Sequence, residues 1–149
     1  MAKEGAMQTN VELVQMLYKA FLDHRIDTIL EHCSDTITWD CVGNPAWVPL
    51  AGTRSGKDPV RRFFEELARG YTFEEFSPDS FHDAGDHVFC FGHSRSRAAA
   101  TGQAIDDRFL HAFRIENGKV AAFTDFMDTA AVAVGSGTLR VTGEGAKAA

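Results

Sequence analysis

Residues 72–128 read TFEEFSPDSFHDAGDHVFCFGHSRSRAAATGQAIDDRFLHAFRIENGKVAAFTDFMD. Four strand-like runs are visible in this stretch, near Thr72 to His82, His87 to Ala98, Ala104 to Ile115 and Val120 to Asp128. Each is rich in aromatic and β-branched residues. Between them stand Asp83-Ala84-Gly85-Asp86, Thr101-Gly102 and Glu116-Asn117-Gly118, residue types that supply the tight reversals of hairpins. Consecutive hairpins predict a meandering antiparallel sheet.

The chain ahead of this stretch reads as helices. Thr9 and Glu12 form a capping-box pattern, and Val14, Leu17, Tyr18 and Phe21 follow at helical spacing to make one buried face. A shorter helix is predicted over Asp27 to Cys33, then a β-rich segment from Thr36 to Val42. Gly43, Pro45, Pro49, Gly52 and Gly56 punctuate a loop that carries Trp47 and could serve as a lid. Asp58 and Pro59 read as N-cap and first helical position, with Val60, Phe63, Phe64 and Leu67 as the apolar stripe and Gly70 as the stop. Helices first and hairpins later make an α+β fold rather than an alternating βαβ one. Residues 11–134 are expected to form one domain, with residues 1–10 and 135–149 as flexible ends.

Composition narrows the function classes. A chain of 149 residues can bury a core without disulfide or metal staples. Its three cysteines, Cys33, Cys41 and Cys90, lack a CxxC pair, so neither a disulfide framework nor a zinc knuckle is expected, and a reducing cytoplasm suits them. A net charge of −6 without a basic run argues against nucleic acid as a partner. No apolar run is long enough for a membrane span, and the N-terminus lacks a signal-type apolar segment, so a cytoplasmic protein with no membrane partner is expected. No GxSxG elbow, phosphate loop or dinucleotide fingerprint is present. His82, Asp83, Asp86 and His87 are metal-type ligands, but they straddle a turn without diagnostic spacing, so no metal is predicted.

Several short segments resemble one family when taken in order. They are Ser34-Asp35-Thr36-Ile37-Thr38-Trp39-Asp40 with Val42-Gly43, Ala51-Gly52-Thr53-Arg54-Ser55-Gly56, Asn117-Gly118-Lys119-Val120 and Asp125-Phe126-Met127-Asp128. With the element order, they resemble the nuclear transport factor 2-like superfamily, which includes ketosteroid isomerase, limonene epoxide hydrolase and the SnoaL-like polyketide cyclases. The resemblance implies a cystatin-like cone: three N-terminal helices packed on a curved antiparallel sheet, with a ligand pocket inside and a homodimer across the open sheet face. Such folds serve both enzymes and binding proteins, so function must come from the inward side chains.

The resemblance also implies site residues. Asp40 stands where the isomerase carries its base, and a carboxylate in a dry pocket is a proton shuttle; the alternative is a solvated strand end. Asp125 resembles the water-activating aspartate of the hydrolase and shares strand parity with Phe123 and Met127; the alternative is a buried aspartate held by structural hydrogen bonds. His93 takes the place of the hydrolase's acid aspartate. The hydrolase arginine would fall on Phe91, so the full Arg-Asp-Asp set is absent. His111 lies where the isomerase has a protonated aspartate and could donate to an oxyanion, or could be a satisfied core histidine. Tyr18 lies near the isomerase's oxyanion-hole tyrosine, although the helical stripe also explains it. Trp39, Trp47, Phe64, Phe89, Phe91, Phe109, Phe113, Phe123 and Met127 are the candidate pocket wall, suited to an apolar or aromatic substrate. Cys41 and Cys90 alternate away from Asp40 and His93, which argues against cysteine catalysis.

The expected function is cofactor-independent acid–base chemistry next to a carbonyl: isomerisation, cyclisation or dehydration. A non-catalytic binding or dimerisation module and water addition to an epoxide stand as the alternatives.

Overall fold

The computed structural model describes residues 8–143. Three N-terminal helices, α1 (Asn10–Leu22), α2 (Ile26–Glu31) and α3 (Lys57–Gly70), pack on one face of a six-stranded sheet. The strands are β1 (Cys33–Cys41), β2 (Gly52–Ser55), β3 (Tyr71–Ala84), β4 (His87–Ala98), β5 (Ala104–Glu116) and β6 (Lys119–Phe126). Their order in the sheet is β2-β1-β6-β5-β4-β3. The predicted meander from β3 to β6 is present, but β1 returns beside β6 in parallel, the one departure from antiparallel pairing. A fourth helix, α4 (Thr129–Gly135), follows β6 and was not expected.

Local chemistry explains where the elements begin and end. Thr9 Oγ1 accepts from the Glu12 amide at 3.1 Å, while Glu12 Oε1 accepts from the Thr9 amide at 3.0 Å, completing the predicted capping box. Leu13, Val14, Leu17 and Tyr18 then form the buried face of α1. The predicted cap of α3 is corrected: Gly56 occupies the N-cap and Asp58 lies in the first turn, where its charge suits the helix N-terminus without a capping hydrogen bond. At the β5–β6 turn, Asn117 and Gly118 take φ of 51° and 73°, the left-handed pair that a two-residue hairpin requires.

Bulges between Phe73 and Glu75 and between Pro78 and Ser80 bend β3. The inner face of the bent sheet has a consistent division of side-chain size. β4 contributes Val88, Cys90, Gly92, Ser94 and Ser96, all buried, while β5 contributes Phe109, His111 and Phe113. Gly92 pairs with Phe109 across the strands. A Cβ at Gly92 would run into the Phe109 ring and lie 2.5 Å from the Ser77 carbonyl oxygen, so glycine leaves the space that the phenylalanine fills.

The segment expected to be a lid is tied down on both sides. Its end forms β2, with Thr53 opposite Asp40, and Val48 is buried. The Thr138 hydroxyl donates to the Trp47 carbonyl. In the C-terminal stretch expected to be flexible, α4 ends at Gly135, the Tyr71 and Ser136 hydroxyls are hydrogen-bonded at 2.7 Å, and Leu139 N–H donates to Ala133 O. The outer parts of both predicted ends, residues 1–7 and 144–149, lie outside the described residues. Among the described residues, no helix is long and apolar enough to cross a membrane.

Gly92→Ala should destabilise the fold by about 1–3 kcal/mol, because the added methyl forces Phe109 off its position in a packed interior. Urea unfolding followed by circular dichroism measures the shift, and an unchanged midpoint would contradict the packing argument.

Candidate active site

Between the helices and the inner face of the sheet lies a cavity of about 130 Å³. Its wall is largely aromatic: Phe63 and Phe64 come from α3, Trp39 from β1, Phe109 and Phe113 from β5 and Phe123 from β6. Into this apolar space project five polar side chains, Tyr18, Ser94, Asp107, His111 and Asp125.

Strand register brings the central ones together. His111 on β5 stands opposite Cys90 on β4 and Asp125 on β6, and Asp125 stands opposite Cys41 on β1, so one row runs Cys90, His111, Asp125, Cys41 across four strands. α1 adds Tyr18, whose hydroxyl is 2.7 Å from His111 Nδ1. The imidazole stacks on Phe109 with centroids 4.0 Å apart, which fixes its plane. Its Nε2 lies 3.2 Å from Asp125 Oδ1. That approach is close but not aligned as a hydrogen bond, and Asp125 Oδ1 has no aligned donor among the described residues.

Burial, reinforced by Cys90 and Asp125, pushes the Tyr18 phenol far above its ordinary range, so it stays protonated. The phenol and Nδ1 share one short hydrogen bond, whose direction is set by the tautomer of the imidazole. That contact and the stacked Phe109 ring orient His111.

Asp107 is the residue that the sequence reading missed. Burial raises its carboxyl to about 6, with the Asp125 charge adding to the rise, while the Asp128 amide, donating to Oδ1 at 2.8 Å, opposes it. The alternation Ile105, Asp107, Phe109, His111, Phe113 carried the signal, since it places an acid in an otherwise inward-facing row. Trp39 adds a further feature: its buried indole Nε1 has no hydrogen-bond partner among the described residues.

The SnoaL-like domain family model matches residues 14–123. This chain belongs to the SnoaL-like family. Among solved structures, an NTF2-like protein from Burkholderia thailandensis is 30% identical, with 87% of this chain and 98% of that chain covered and a TM-score of 0.79. An NTF2-like protein of unknown function from Burkholderia pseudomallei is 28% identical, covering 83% and 94% at a TM-score of 0.74. TerC, co-crystallised with polyporic acid, shares the fold at 24% identity, 86% and 98% coverage and a TM-score of 0.75. No curated protein matches.

Of the residues singled out from the sequence, this SnoaL-like chain assembles Tyr18, His111 and Asp125 in the cavity, walled by Trp39, Phe64, Phe109, Phe113 and Phe123. Met127 lines an adjoining space. Asp40 is placed elsewhere: Ile37, Trp39 and Cys41 fill the inner face of β1, so the intervening Asp40 projects outward. His93, Phe89 and Phe91 likewise lie on the outer face, because the inner row of β4 is the small-residue row. There His93 bonds Asp79 at 2.7 Å and Glu75 at 3.1 Å, and both carboxylates raise its pKa. Trp47 is half exposed on its loop. Arg95 pairs with Asp106, and Arg97 with Glu74, on the outer surface. Burial raises all three thiols, Cys33 to about 11, which disfavours a thiolate nucleophile. Among the described residues no group of three or more potential metal ligands converges.

A carboxyl raised in the folded state weakens the fold as it ionises. Asp107 therefore costs nothing below about pH 4 and progressively more as pH rises to about 6. Asp107→Asn keeps the acceptor for the Asp128 amide and removes that cost. The variant should be more stable than wild type at pH 8 by about 1–2 kcal/mol, allowing for solvent screening, with the difference vanishing near pH 4. Denaturant titrations at the two pH values measure it, and a gain that is equal at both would rule out this origin.

Proposed function

We propose that this SnoaL-like chain is a cofactor-independent enzyme that moves a proton next to a carbonyl group of an apolar or aromatic substrate. The observation that carries the reading is the convergence of Asp125, His111 and Tyr18 with Asp107 inside one aromatic-walled cavity. Asp125 is the base: its carboxylate takes the proton from the carbon beside the carbonyl, and the C–H electron pair moves to the carbonyl oxygen as an enolate. Asp107 in its protonated form donates a hydrogen bond to that oxygen, and the apolar wall around it strengthens the interaction. His111 is a positioning residue, holding Asp125 on one side and held by Tyr18 on the other. Proton return at another carbon gives isomerisation, attack on a second carbonyl gives cyclisation, and loss of a β-hydroxyl as water gives dehydration.

The chemistry is tested by hydrogen–deuterium exchange at the α-carbon of a panel of aryl ketones, followed by proton NMR in heavy water. Wild type should accelerate exchange above buffer. Asp125→Asn should lower the rate at least ~100-fold, and Asp40→Asn should leave it unchanged. Ketone binding without accelerated exchange would replace the enzyme reading with that of a binding module.

The same reading includes a homodimer. Phe91, Leu110 and Phe126 form a transverse apolar row on the outer sheet face, and the two phenylalanines are 51% and 47% exposed. A second copy covering this row would remove that surface from water. Sedimentation should show a dimer in wild type and a monomer for Phe91→Glu, and a monomeric wild type would end the proposal.

A further inference from the structure

The cavity adjoins a second one. A space of about 90 Å³ shares six wall residues with it: Phe63, Leu67, Phe73, Ser94, Asp107 and Asp125. The polar members of that set, Ser94 and the two carboxyls, form a waist between the spaces. On the far side of the waist the chemistry of the wall changes. Val48, Leu50, Ile105, Met127 and Val132 give the second space an aliphatic side, opposite the rings of Phe63, Tyr71 and Phe73, whereas rings dominate the first throughout.

Three parts of the chain supply the aliphatic side of the second chamber. The segment after β1 supplies Val48 and Leu50, β5 supplies Ile105, and α4 supplies Val132. α4 sits close because Gly135 has no side chain: a Cβ there would run into Ile105 Cγ1. Packed interiors leave few voids larger than a water molecule. Two adjoining voids whose common wall contains the cavity's two carboxyls therefore mark a subsite rather than loose packing.

We infer that the site takes an aryl alkyl ketone, or a ligand of the same layout: a flat aromatic unit in the first chamber, the carbonyl at the waist and a short alkyl chain in the second. The inference rests on the acid–base reading only in placing the carbonyl between Asp107 and Asp125. The division into an aromatic and an aliphatic half comes from the walls. It makes the second chamber the determinant of chain length, with Leu50 and Val132 as specificity residues.

Methyl phenyl ketone and propyl phenyl ketone share the ring and carbonyl and differ only in the chain. Their affinities can be read from quenching of tryptophan fluorescence, Trp39 being part of the wall. Wild type should bind the propyl ketone roughly tenfold more tightly, as expected for burying two further methylenes. Val132→Phe fills the chamber from α4 and Leu50→Phe fills it from the opposite side, so either folded variant, checked by circular dichroism, carries the test. Each should abolish the preference while leaving methyl ketone affinity within about twofold. Equal affinities in wild type, binding of neither ketone, or equal weakening of both in the filled variants would overturn the inference. Failure of the acid–base reading looks different: wild type would keep the chain-length preference yet exchange no α-hydrogen.

Discussion

The Tyr18–His111 contact joins the first helix to the centre of the sheet inside an apolar space, and the remaining site geometry is organised around it. Polar groups buried among rings are tolerable only when they satisfy one another. The phenol is hydrogen-bonded to one nitrogen of the imidazole, and strand register sets Asp125 beside the other. Phe109 stacked on the imidazole and Phe113 edge-on to Tyr18 hold both rings in place. This chain of constraints leaves the buried Oδ1 of Asp125 close to the imidazole but without an aligned donor among the described residues.

Side-chain size creates the room for this arrangement. The inner row of β4 is small where the inner row of β5 is large, and the glycine at position 92 is the extreme case, since its missing Cβ is the space taken by Phe109. Had β4 carried its phenylalanines inward, the cavity would be filled. Instead Phe89 and Phe91 face outward, where Phe91 contributes to an exposed apolar row. The same division separates two electrostatic settings. His93, on the outer face, is an exposed imidazole between two carboxylates, whereas Asp107, on the inner face, has its carboxyl raised by burial.

Much of this was legible from residue pattern alone. The capping box, the helical stripes and the turn dipeptides placed α1, α3 and the four long strands close to their positions, because each rests on chemistry within a few residues. Alternation along β6 put Phe123, Asp125 and Met127 on one face, and the pocket walls contain all three. Along β4 and at Asp40 alternation was also regular, but it named two faces without saying which was inner. The aromatic run Phe89–Phe91 suggested the wrong one. Aromatic residues mark a surface removed from water, and a sheet that packs helices on one side and exposes an apolar row on the other offers two such surfaces.

The amino-acid sequence by itself determined the element types, their order, the α+β architecture and the presence of an acid and a histidine on neighbouring strands, since helix, strand and turn preferences act over short stretches of chain. Only the tertiary structure decided that Tyr18, His111 and Asp125 meet, that Asp107 joins them and that Asp40 and His93 do not. Those outcomes depend on strand register, on which sheet face the helices cover and on the parallel return of β1 beside β6. Each is settled by side chains far apart in the chain competing for the same space, so no local stretch encodes them.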